Sequence, residues 1–121
     1  MSENEDETTL DAKFGIVGLE RGHRSQWLAQ LKGPGAPCEH ELQGEEWVVG
    51  RSSNVTISIN SGLLSRKHMR LFRDENEVRC EDLQSMNGVY LNGVKVHSAI
   101  LRDGDTIQLG DVVFTFHEGG E

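Results

Sequence analysis

The chain has 121 residues, enough for one compact domain and too few for two with separate cores. Hydrophobic residues make up 36% and the formal net charge is −8, which argues against nucleic acid as a direct partner, because a phosphate backbone needs a net basic face. No stretch approaches the roughly 20 apolar residues of a membrane span, and the acidic N-terminus lacks the apolar core of a signal peptide.

Glu3, Glu5, Asp6, Glu7 and Asp11 all precede the first apolar run. A segment so acidic and so poor in apolar side chains cannot offset its ordering entropy. Residues 1–25 are therefore predicted to be a disordered tail. It carries one short apolar segment, Phe14-Gly15-Ile16-Val17-Gly18-Leu19, which reads either as an extra strand or as a sticky stretch. From Trp27 the apolar period is two. Trp27 to Leu31 alternates, Gly33-Pro34-Gly35-Ala36-Pro37 breaks the strand, and Glu39 to Leu42 and Trp47 to Val49 read as the next strands. Thr56 to Ile59 and Met69 to Arg73 follow, and Val78 and Cys80 share one face of another. Val89 to Leu91 runs into Asn92-Gly93, a two-residue hairpin signal because both residues tolerate positive φ. Thr106 to Leu109 and Val112 to Phe116 pair across Gly110-Asp111. No segment has a helical apolar period. About ten short strands with turns between them predict an all-β, two-sheet sandwich over residues 26–118, with 119–121 a short tail. Two cysteines, Cys38 and Cys80, are too few for a disulfide framework and suggest a reducing, intracellular setting.

The residues with chemistry lie in the turns. Arg51 follows Gly50, where the backbone is free to bend, and a guanidinium fork suits bidentate phosphate. Ser65 offers a hydroxyl, Arg66 and Lys67 offer charge, and Asn87 carries donor and acceptor together at a loop tip beside Gly88. Taken singly, each also reads as an ordinary turn or strand-end residue. The basic residues Arg66, Lys67, Arg70 and Arg73 cluster in sequence and leave room for a local patch that takes one phosphate. His68 near Ser65 suggests a hydrolase, but no acidic residue at a recognisable spacing orients it and no oxyanion-hole pattern is present. A histidine pinning its neighbouring loop fits better, and no enzymatic activity is expected. Cys38, His40, His23 and Cys80 match no zinc spacing, and Gly33-Pro34-Gly35 lacks the remainder of a phosphate loop. No metal or cofactor is expected.

In order, Gly50-Arg51, Ser65-Arg66-Lys67-His68 and Asn87-Gly88 resemble the forkhead-associated (FHA) domain, over about residues 27–117. The resemblance implies a sandwich of about eleven short strands with binding loops at one end. It further implies a module that binds phosphothreonine-containing proteins. Arg51 and Ser65 match the residues that grip the phosphate, and Arg66 matches a third, more variable contact. Asn87 matches the residue that holds the peptide backbone. Gly50, His68 and Gly88 match structural positions at the site. Leu64, Ser85 and Met86 fall in the loops that read the residue three after the phosphothreonine. Met86 departs from the family, where a threonine able to touch phosphate often stands. The resemblance also implies a signalling adaptor of the DNA-damage or cell-cycle response, located in the nucleus. The alternative is a structural or dimerisation sandwich with idle loops. Thr8 and Thr9, set among acids, are expected phosphosites through which a second copy would dimerise.

Overall fold

The computed structural model describes residues 25–119, and the predicted acidic tail, its apolar run and Thr8 and Thr9 lie outside them. The described residues form eleven strands and no helix. They are β1 (Gln26–Lys32), β2 (Cys38–Glu41), β3 (Glu46–Gly50), β4 (Ile57–Ser58), β5 (Met69–Asp74) and β6 (Glu77–Asp82). Then come β7 (Val89–Leu91), β8 (Val94–Val96), β9 (Ser98–Leu101), β10 (Thr106–Leu109) and β11 (Val112–Glu118). One sheet has the order β9-β6-β5-β3-β4 and the other β2-β1-β11-β10-β7-β8.

The alternation in sequence becomes the two inner faces. Trp47, Val49, Met69, Leu71, Val78 and Cys80 point inward from the first sheet, and Leu28, Ile107, Leu109, Phe114 and Phe116 from the second, all at most 2% exposed. Register keeps those faces aligned, since Trp47 stands opposite Leu71 and Leu71 opposite Cys80. Among the described residues only β3 and β4 pair in parallel. The strand expected over Thr56 to Ile59 shrinks to Ile57–Ser58, yet Ile57 and Ile59 are both buried. Asn92 and Gly93 take φ of +51° and +87° and close the β7–β8 hairpin as their chemistry predicts.

Buried polar groups find partners. The Gln30 amide donates to the Pro34 carbonyl at 2.9 Å, and its oxygen accepts from the His40 ring at 2.9 Å. Cys80 is 1% exposed. Burial disfavours its thiolate and pushes the thiol up to about 11, so it remains a neutral core side chain. Among the described residues no group of three or more His, Cys, Asp and Glu could hold a metal.

Candidate functional site

The loops after β3, β4 and β6 meet beside the β10–β11 turn. Their meeting begins at Gly50, the last residue of β3. The chain bends just after it, at Arg51 and Ser52, yet the φ of Gly50 itself is not in the left-handed region. Gly50 is needed for close approach. A Cβ there would lie 2.1 Å from the Arg66 carbonyl oxygen and 2.8 Å from its carbon. With no side chain between them, the 65–67 backbone lies directly on the strand end. The Arg51 N–H donates to the Ser65 carbonyl at 3.0 Å, and the Ser52 N–H to the Arg66 carbonyl at 3.1 Å.

Each of three polar side chains is anchored through one group and keeps others free. Arg51 donates its Nε–H to the Leu64 carbonyl at 3.1 Å. The four terminal N–H groups of its fork have no carboxylate partner among the described residues. Ser65 Oγ accepts the Met86 N–H at 3.0 Å, which leaves the hydroxyl proton to donate elsewhere. Asn87 donates Nδ2–H to the Leu63 carbonyl at 2.7 Å, which leaves its Oδ1 as a free acceptor. Arg51, Arg66, Lys67 and Asn87 are exposed and Ser65 is half-buried. The arrangement presents cationic and neutral donors around a small concavity and is suited to an oxyanion.

His68 fixes this geometry. Its fully buried ring accepts the Ser65 N–H at Nδ1, at 3.1 Å, and donates Nε2–H to the Gly88 carbonyl, at 2.8 Å. One ring therefore ties the Ser65 loop to the Asn87 loop. With both nitrogens engaged in this way, His68 is not placed to take a proton from Ser65 Oγ. The Asn87 loop is shaped further by Ser85, which receives the Gly88 N–H on its hydroxyl at 2.9 Å and donates its own N–H to Asp82 at 3.1 Å. Gly88 takes φ +82°, where a side chain would be strained.

Two expectations change. Leu64, placed by sequence at the peptide surface, is 2% exposed and packs in the core, so only its carbonyl serves the site. Its neighbour Leu63 is 51% exposed and Met86 is 87% exposed. Leu63, Asn87, Tyr90, Gln108 and Gly110 line an open groove of about 310 Å³ next to Asn87. Gln108 and Gly110 carry no signal in sequence because the strand pairing of Gln108 with Tyr90 brings them beside Asn87 from about twenty residues away. Nor does the basic cluster act as a unit. Arg70 pairs with Glu46 at 2.7 Å and Glu81 at 3.1 Å, and these hydrogen bonds raise its pKa. The Arg73 side chain is 5% exposed, over the Trp47 ring. Only Arg66 and Lys67 stay in the site loop.

Comparison with known proteins gives a consistent family. The model of the FHA domain matches residues 47–110. The chain is 31% identical over 107 residues to an oxoglutarate dehydrogenase inhibitor of Corynebacterium jeikeium, covering 88% of this chain and 73% of that protein. It is 32% identical over 111 residues to the glycogen accumulation regulator GarA of Mycobacterium tuberculosis, covering 92% of this chain and 67% of that protein. A solved FHA structure described by its phosphothreonine-dependent interactions superposes with a TM-score of 0.73 at 25% identity, covering 80% of this chain and 99% of that one. These comparisons overturn the expected nuclear location, because both relatives belong to bacteria, which have no nucleus. Their names concern metabolic control, so they do not carry the expected DNA-damage or cell-cycle role either.

Proposed function

This chain belongs to the FHA-domain family, and from that premise we propose that it is a phosphothreonine-dependent protein-interaction module. The supporting observation is the set Arg51, Ser65 and Asn87 on adjoining loops, each held by one hydrogen bond with its remaining polar groups free. The phosphate receives the Arg51 fork and the Ser65 hydroxyl, with added charge from Arg66 and Lys67. Asn87 Oδ1 accepts a backbone N–H of the ligand. The residues that follow the phosphothreonine lie along the Leu63–Tyr90 groove, where the exposed, apolar Leu63 selects side chains, while the exposed Met86 beside Asn87 adds no phosphate contact.

A phosphate carries about −1.5 to −2 charges at neutral pH. Charge-assisted hydrogen bonds to it contribute about 1.5 to 3 kcal/mol each. Two or three, less the cost of association, give a Kd on the order of 1 μM. By analogy with the relatives' names, the partner class is a phosphorylated protein of metabolic control, a metabolic enzyme or an assembly containing one. Calorimetry of the strongest binder from a phosphothreonine peptide pool with randomised flanks should give that affinity, and its unphosphorylated and glutamate forms no measurable heat. Equal binding of the unphosphorylated form would favour the alternative, a sandwich used for structural contacts only.

A second copy phosphorylated on Thr8 or Thr9 is one source of such a ligand, although both threonines lie outside the described residues. Sedimentation should then show a dimer of the phosphorylated chain and a monomer of the untreated one. An unchanged mass removes this source.

A further inference from the structure

The β10–β11 turn reaches the site without touching the phosphate cup. Gly110 lies against Leu63, and a Cβ at Gly110 would be 2.8 Å from Leu63 Cβ and 3.0 Å from its carbonyl oxygen. The next residue, Asp111, accepts the Ser61 hydroxyl proton on Oδ1 at 2.5 Å. Ser61 is 4% exposed, and its oxygens hold the start of the loop. Oγ accepts the Leu63 N–H at 3.2 Å and the carbonyl accepts the Leu64 N–H at 3.2 Å. The carbonyls of those same two residues, Leu63 and Leu64, receive Asn87 Nδ2–H and Arg51 Nε–H.

We propose that the Ser61–Asp111 pair is a positioning latch, which holds the 61–64 loop so that its two consecutive carbonyls aim Asn87 and Arg51 at the ligand. The chain of contacts is continuous. Asp111 fixes the Ser61 side chain, Ser61 fixes the N–H groups of residues 63 and 64, and the carbonyls of 63 and 64 fix the two gripping side chains. Asp111 itself is exposed, so its role is not one of core packing. The β10–β11 turn thereby belongs to the recognition apparatus, although it lies more than twenty residues from the nearest gripping residue in sequence.

What the latched side chains hold rests on the phosphothreonine reading above, and the experiment separates the two. Asp111→Ala and Ser61→Ala should each weaken the selected phosphothreonine peptide on the order of fivefold, the range of one net hydrogen bond. The double variant should be no weaker than Ser61→Ala alone, because removing Ser61 Oγ already removes everything Asp111 holds there. Asp111→Asn keeps an acceptor oxygen at Oδ1 and should restore binding. Without any peptide, the Asn87 side-chain amide and Arg51 Nε–H resonances should shift in Asp111→Ala while its Tm stays near that of the unaltered protein. Unaltered affinity together with unmoved resonances in Asp111→Ala would overturn the latch. If the unaltered protein selects no phosphopeptide at all, the phosphothreonine reading fails, and the free-protein resonances alone decide whether the latch exists.

Discussion

Arg51→Ala is expected to remove measurable binding to any phosphothreonine peptide the domain selects, while the fold persists. The guanidinium is exposed, so its loss opens no cavity, and the one internal bond it gives up among the described residues is to the Leu64 carbonyl. What disappears is the fork that its Nε–H anchor to the Leu64 carbonyl holds in place to meet two phosphate oxygens at once. With charge-assisted bonds of about 1.5 to 3 kcal/mol, losing two weakens binding by roughly a hundredfold or more. Arg51→Lys keeps the charge but not the planar fork, nor the Nε–H that the Leu64 carbonyl anchors, so it should bind between the two. Calorimetry beside a thermal melt distinguishes lost contact from lost structure. Affinity within a few-fold of the unaltered protein would strip Arg51 of the role given to it here.

Gly50→Ala should damage stability and binding together. Its new methyl would sit 2.1 Å from the Arg66 carbonyl oxygen and 3.1 Å from Lys67 Cα. Every clashing atom is backbone, so no rotamer relieves it, and the 65–67 segment must lift off β3. That movement breaks the Arg51–Ser65 and Ser52–Arg66 hydrogen bonds and carries Ser65 away from Arg51. A cost of about 2 to 4 kcal/mol is expected, with Tm lowered by about 10 °C or more. Gly62→Ala is the control, because nothing lies within 4 Å of its added Cβ and its φ is unremarkable. An equal Tm for the two variants would show that the close approach at Gly50 is not enforced.

How much of this was legible in the sequence depends on whether the cause was local. Alternation is local, and Trp47 and Val49, Met69 and Leu71, and Phe114 and Phe116 all face the core as their spacing predicts. Turn chemistry is local too, as Asn92-Gly93 shows. The strand Ser98–Leu101 was missed because it pairs with Glu77–Asp82, roughly twenty residues upstream, and its own pattern is weak. Identical residue types are separated only by packing, so sequence could not tell exposed Leu63 from buried Leu64. The same holds for the cations, where Glu46 and Glu81 draw Arg70 onto the sheet surface. Gly50 stands out in sequence for the bend that follows it, whereas its close approach to the 65–67 backbone leaves no mark in composition.

The anchoring of Arg51 and Asn87 on main-chain oxygens has a consequence for how selectivity can change. Every amino acid supplies the same carbonyl at positions 63 and 64, so the grip does not depend on which side chain stands at 63. Leu63 projects into the groove while its backbone holds the machinery in place. Grip and taste are thereby uncoupled at a single residue, and the loop can drift toward new clients, or be diversified by an engineer, without first being rebuilt.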